Sequence, residues 1–265
     1  METENNRYSG RKIALLSATF LLVAFLIYYA IMIMLGPGLK LSILRAEYSP
    51  AVKEGSNSQV FTDSTYLSVL KEKAFLQARV TMAQTDSIYM TINLKDSTSA
   101  IEISGVTVHS VKISSFEVSG ILHKCDQSVL YTMLSVPFTV ENSLATIKKE
   151  PVMIKVAPKD TSEYKPDIMP DTSFVEPVNY ILEMKDGTRI YVYQEETKSA
   201  AERKAQFRFD FKQRTSDALR CLKSVMVFKV PEYHPFIKIW IPREDAKILY
   251  RALPVNGQVG VYTSV

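Results

Sequence analysis

The side chains best suited to covalent or metal chemistry are few in this chain, and they lie far apart. There are two cysteines, Cys125 and Cys221, and three histidines, His109, His123 and His234. No HxxxH pair and no CxxC occurs, so the spacing that brings two ligands to one zinc ion is missing, and no metal site is expected. The two thiols would pair in an oxidising compartment or stay free and buried; their spacing decides neither. The SxxK matches at Ser68 to Lys71 and Ser162 to Lys165 place a lysine one helical turn after a serine, where an amine could take the hydroxyl proton. That chemistry also needs SxN and KTG partners. The chain has no SxN, and Lys185-Asp186-Gly187, the nearest thing to KTG, reads as a hairpin turn. No GxSxG elbow, Walker loop or GxGxxG is present. No catalytic residue is assigned and no cofactor is expected.

The elements that would position any site start with a membrane anchor. Ile13 to Leu35, IALLSATFLLVAFLIYYAIMIML, carries no charge. It is long enough to cross a hydrocarbon core of about 30 Å as a helix. It is too long for a signal-peptide apolar region, and no small-x-small cleavage site follows. Lys12 closes it on one side, and Gly36-Pro37-Gly38 is expected to break it on the other. Arg7, Arg11 and Lys12 lie closer to the span than Lys40, Arg45 and Lys53, which favours an N-in, C-out anchor. The expected organisation is a cytoplasmic tail at 1–12, a transmembrane anchor at 13–35, a juxtamembrane linker at 36–63 and an extracytoplasmic α+β domain at 64–265. At 265 residues and 46% hydrophobic composition, one domain can bury a core without disulfide staples. A net charge of only +4 with no basic run gives no sign of nucleic acid binding.

Leu67, Leu70, Ala74, Ala78 and Met82 recur at helical spacing after a cap at Asp63 or Ser64, predicting a helix packed on the domain, or a stalk or dimer contact. From Ser87 the period becomes two: Ile88 to Leu94, Ala100 to Ile103, Val106 to Ile113, and Phe116 with Val118 read as a meander of short strands. Val129 to Val140 and Val152 to Val156 read as further strands, and the proline-rich stretch from Pro158 to Pro177 as a surface loop or a lid. Asp186-Gly187 between alternating residues predicts a hairpin. Ser199 to about Lys223 reads as a helix with Arg203, Lys204, Arg208, Lys212 and Arg214 on a basic face, a solvated surface or one that touches anionic lipid or polymer. Val225 to Val230 and Phe236 to Ile241 read as strands, Arg243 to Leu253 as a helix and Gln258 to Tyr262 as the last strand.

The C-terminal stretch from Ile239 to Tyr262 resembles the end of an L,D-transpeptidase catalytic domain. Glu244-Asp245-Ala246, Leu249-Tyr250, Leu253-Pro254, Gly257 and Val259 stand at the places of that family's EDA turn, short helix and closing strand. Ile92 to Gly105 is similar to its first hairpin. The resemblance implies an α+β, mainly β, meander or sandwich-like fold behind the transmembrane helix. It also implies a lost active site. The family's S/T-H-G-C run falls on Pro235-Phe236-Ile237-Lys238, and its second histidine has no counterpart in Asp186 to Tyr193. A thiolate nucleophile needs a cysteine and a base, so the resemblance implies a pseudoenzyme whose vestigial cleft is lined by Tyr191, Tyr193, His234, Lys238 and Trp240. It would sit in the inner membrane with its domain in the periplasm and bind a partner protein or peptidoglycan. Two alternatives are a bitopic scaffold subunit of a secretion or division complex, with self-association open, and an enzyme of another type.

Overall fold

The computed structural model describes residues 3–49, 64–149, 176–196 and 199–263. The chain divides into two compact units. Tyr48–Asp210 with His234–Val265 form one, and Met1–Glu47 with Phe211–Tyr233 form the other.

The larger unit is built on a mixed sheet of nine strands. These are β1 (Ile88–Asn93), β2 (Thr98–Ile103), β3 (Val106–Lys112), β4 (Ser115–Val118), β5 (Phe138–Ala145), β6 (Asn179–Met184), β7 (Arg189–Gln194), β8 (Phe236–Ile241) and β9 (Gln258–Tyr262). Their order is β3-β2-β1-β9-β5-β6-β7-β8-β4. The meander β1-β2-β3 is set by its turns. Asn93 Oδ1 accepts from the Lys95 and Asp96 amides at 3.0 and 3.1 Å, and Ser104-Gly105, both at positive φ, form the two-residue turn that matches strand twist. The Asp186-Gly187 hairpin joins β6 to β7 as its sequence predicts. Two neighbouring pairs, β1 with β9 and β7 with β8, are parallel and need crossovers. Only Phe138 and Thr139 of β5 pair with β9, while Val140 onward pairs with β6 across a bulge, so one short strand joins the two halves of the sheet.

Helix α2 (Ser64–Ala83) lies on β9. Ala74, Ala78 and Met82 form its buried stripe. The small alanines let it approach closely, and Gly260 completes the fit: a Cβ there would come within 2.6 Å of Met82 Cε. Phe75 meets Tyr262 edge to face at 5.5 Å. A half-buried ion pair fastens the same helix to β2. Arg79 grips Glu102 through three hydrogen bonds of 3.0 to 3.1 Å, and the Thr91 hydroxyl donates to the same carboxylate at 3.1 Å. The short helices α3 (Gly120–Lys124) and α4 (Gln127–Leu134) precede β5, and α6 (Arg243–Ala252) connects β8 to β9. Helix α5 (Ala200–Met226) follows β7; Ser199 and Glu202 cap its start reciprocally, each side chain accepting from the other's amide.

The smaller unit contains α1 (Thr3–Tyr48) and the second half of α5. From Ala14 to Tyr48, α1 is the one helix among the described residues long and apolar enough to cross a membrane, with none of its most apolar window buried.

Several expectations need correction. The fold is α+β, but helices hold more of the described residues than strands, and the nine strands are hydrogen-bonded in one continuous order. The helix does not break at Gly36-Pro37-Gly38; α1 runs through Pro37 to Tyr48. A proline forfeits one intrahelical bond, to the carbonyl four residues back, and a long helix absorbs that loss. The expected linker at 36–63 is therefore helical to Tyr48, and 50–63 lies outside the described residues. Gln127–Leu134 is a helix, not a strand: Val129, Leu130, Met133 and Leu134 are buried at helical spacing. Val225 to Val230 forms no strand; α5 continues to Met226 and the chain then turns, with Phe228 at φ 58°. The strand expected at Val152–Val156, Ser162 to Lys165, and the loop from Pro158 as far as residue 175 also lie outside the described residues.

Candidate functional site

Parallel pairing of β7 with β8 sets Tyr191 opposite Lys238 and Tyr193 opposite Trp240. Side chains alternate along strands, so residues 191, 193, 236, 238 and 240 share one face of the sheet, while Ile190, Val192, Ile237, Ile239 and Ile241 fill the core on the other. Their rings form a continuous array. Tyr191 stacks near Tyr193 at 6.3 Å, Tyr193 on Trp240 at 5.6 Å, and Phe236 meets Tyr191 edge on at 6.2 Å. The Tyr193 hydroxyl donates to Asp210 at 2.9 Å, which fixes its ring. Lys238 Nζ sits 4.6 Å from the Phe236 ring centre and donates to Glu117 on β4 at 2.9 Å. Trp240, Lys238, Phe236 and Tyr191 are partly exposed, whereas Tyr193 is buried.

Four of the five candidate residues are thus brought together, and Phe236 joins them. His234 is placed differently: it precedes β8, and its Nδ1 lies 2.9 Å from the Gly187 carbonyl in the β6-β7 hairpin. On the neighbouring strand Arg189, itself buried, pairs with Glu183 at 3.0 Å. Pro235 to Lys238, where the resemblance puts the catalytic run, form the entry to β8, with neither a thiol nor an imidazole among them. Neither cysteine is joined in a disulfide. Cys125 is buried at the end of α3, and Cys221 lies within α5. Ser68 and Lys71 are one turn apart on α2, but the ammonium lies over the Tyr131 ring at 5.8 Å. Among the described residues no three His, Cys, Asp or Glu side chains converge as metal ligands.

Sequence reasoning missed one pair. His109 Nε2 lies 3.1 Å from Asp245 Oδ1, joining β3 to the first turn of α6. The EDA pattern points to Asp245, but nothing local singles out a histidine so distant in the chain. A second unforeseen feature is a groove of about 350 Å³ between α2 and α4, lined by Tyr66, Leu70, Lys73, Ser128, Tyr131 and Thr132. Burial, with Tyr262 nearby, pushes the Tyr131 hydroxyl up to about 12. Burial also raises Tyr180 and, with the hydrogen bond to Glu102, Tyr89, and it lowers Lys149. Beyond the groove, α2 exposes Val69, Leu76 and Val80.

In comparisons with protein families, curated proteins and solved structures, nothing matches this chain.

Proposed function

We propose that the chain is a single-pass inner-membrane protein with its sheet domain in the periplasm, a non-catalytic relative of the L,D-transpeptidases that binds peptidoglycan or a partner protein of the envelope. The observation that carries the reading is the aromatic face of β7 and β8. Half-exposed rings with a lysine and a carboxylate beside them suit a ligand that offers both apolar faces and polar groups, as sugar rings with peptide stems do. The strand–helix–strand order of β8, α6 and β9 agrees with what the resemblance implies. The entry to β8 offers Lys238 in place of a nucleophile, engaged by Glu117, and an ammonium cannot supply the thioester that the lost cysteine would form.

Trp240 is the single tryptophan of the chain, so its emission reports on this face. The full-length protein in detergent, titrated with soluble muropeptides, should show a saturable change in emission. It should also co-sediment with purified sacculi, and Tyr191→Ala or Lys238→Ala should weaken both. Unchanged emission with no co-sedimentation would refute peptidoglycan binding. The scaffold reading is favoured by a different observation, the exposed stripe Tyr66, Val69, Lys73, Leu76 and Val80 on α2. Its steps of three and four suit a helix–helix contact, with another protein or with a second copy. Site-specific crosslinking from Val69 and Leu76 would capture that neighbour; capture alongside silent muropeptide titrations would make the scaffold reading the correct one.

A further inference from the structure

The apolar stretch after Lys223 is not a strand, and its place beside α1 suggests another use. Met226, Val227 and Phe228 follow one another at the tip of α5, and all three are exposed, Phe228 at 82%. Water is a poor environment for three consecutive large apolar side chains. The same tip touches α1 well within its uncharged run. The Tyr28 hydroxyl donates to the Val225 carbonyl at 3.4 Å, and the Tyr28 ring lies 6.0 Å from that of Phe228. The chain then returns along α1 toward its C-terminal end. At Gly36 a Cβ would come within 3.1 Å of the Pro231 carbonyl, so the absence of a side chain there lets the returning segment lie flat. From Tyr28 to Gly36 the helix rises about 12 Å, and from Tyr28 to Lys40, the first charge after the run, about 18 Å.

We infer that the tip of α5 enters the bilayer beside α1, as a second, shallow membrane attachment with Met226, Val227 and Phe228 in contact with lipid chains. The inference rests on the reading of α1 as a membrane anchor. The charges fit it. Lys223 and Lys229 flank the apolar tip, both exposed, and Arg220 stands one turn before Lys223. From Lys223 to Met226, where α5 ends, the helix rises about 4.5 Å, a distance that a lysine side chain reaching back toward the headgroups can span. The Val225 carbonyl accepts from the Phe228 amide at 3.0 Å and from the Tyr28 hydroxyl at 3.4 Å, so it is satisfied within the protein, as a polar group in a bilayer must be. Farther up α5, Phe211 and Leu219 are exposed among Lys212, Arg214 and Arg220, the mixed surface of a helix at a membrane interface.

The test places a tryptophan at the tip of the full-length protein in liposomes whose acyl chains carry bromine, a contact quencher. In a Trp240→Phe background, Phe228→Trp should lose emission in the brominated liposomes relative to unbrominated ones, as a ring in contact with acyl chains would. Phe25→Trp, on α1, should be quenched too, and Val255→Trp, exposed on the other unit, should not. Met226→Trp repeats the measurement at a position with ordinary helical backbone, should residue 228 not tolerate the larger ring. Quenching at position 25 with none at 228 or 226 overturns the inference and leaves the anchor standing. Absence of quenching at all of these positions overturns both.

Discussion

The contact between Arg79 and Glu102 ties α2 to the sheet, and removing one partner should cost much of the domain's stability. The Glu102 side chain is 4% exposed and Arg79 31%. Breaking a fully buried pair costs about 3–5 kcal/mol, because the remaining charge is stranded; the partial exposure of Arg79 reduces the expectation for Arg79→Met to about 2–3 kcal/mol. For a unit of this size that is roughly 5–10 °C in melting temperature. The double variant Arg79→Met with Glu102→Met strands no charge. It leaves the Thr91 hydroxyl without this acceptor, so a deficit of about 1 kcal/mol should remain. Chemical unfolding of the full-length protein in detergent, followed by Trp240 emission, measures these variants and Glu102→Met alone. With Glu102→Met alone costing about 1 kcal/mol, since it takes the acceptor from Thr91 while Arg79 keeps solvent, the cycle should give a coupling of about 2–3 kcal/mol. A loss below about 0.5 kcal/mol in the single variant would show the pair to be no more than a surface contact, and the docking of α2 would need another cause.

Other expectations follow from particular atoms. The Tyr180 hydroxyl is fully buried and makes no hydrogen bond, so Tyr180→Phe should raise stability by about 1 kcal/mol in the same unfolding assay. Tyr131, held protonated to about 12, contributes stability that is complete below the unfolded value near 10 and lost as pH rises through 12. Tyr131→Phe should therefore remove about 1.4 kcal/mol of the alkaline loss seen by about pH 11, measured as the difference between unfolding curves at neutral and alkaline pH. A Cβ at Gly257 would meet the Leu253 side chain at 2.8 and 2.9 Å and the Pro254 carbonyl at 2.9 Å, while one at Gly120 meets nothing within 4 Å. Gly257→Ala should cost about 1–3 kcal/mol and Gly120→Ala be neutral or better. If no thiol is a nucleophile, Cys125→Ser with Cys221→Ser should leave function intact, and carbapenem should not label the protein; loss of function with stability unchanged would point to an enzyme.

How much of this was legible in the sequence depended on how local the cause was. Strands β1 to β3 and the β6-β7 hairpin could be read because alternation and turn chemistry are local. So could the buried stripe of α2, which repeats every four residues. The misreadings share one origin. Short apolar runs such as Val129 to Leu134 and Val225 to Phe228 fit a strand or a helix equally well, and only their surroundings decide. Pro37 was read as a stop because prolines end helices in water, yet α1 continues past it. At the candidate site Tyr191, Tyr193, Lys238 and Trp240 were marked by the family resemblance, together with His234. The parallel register of β7 and β8, which makes an array of the first four, is set by a crossover through α5 and has no local signature. His109 with Asp245, and Tyr28 with Phe228, are joined by tertiary folding alone.

The central claim is that α1 carries the sheet domain across a membrane. In a Cys125→Ser, Cys221→Ser background, a single cysteine at Val255, which is 77% exposed, can be probed in spheroplasts with a maleimide that does not cross membranes. The account predicts labelling before lysis, with the protein retained in the membrane fraction after an alkaline wash. Labelling only after lysis, or release of the protein by the wash, would contradict it.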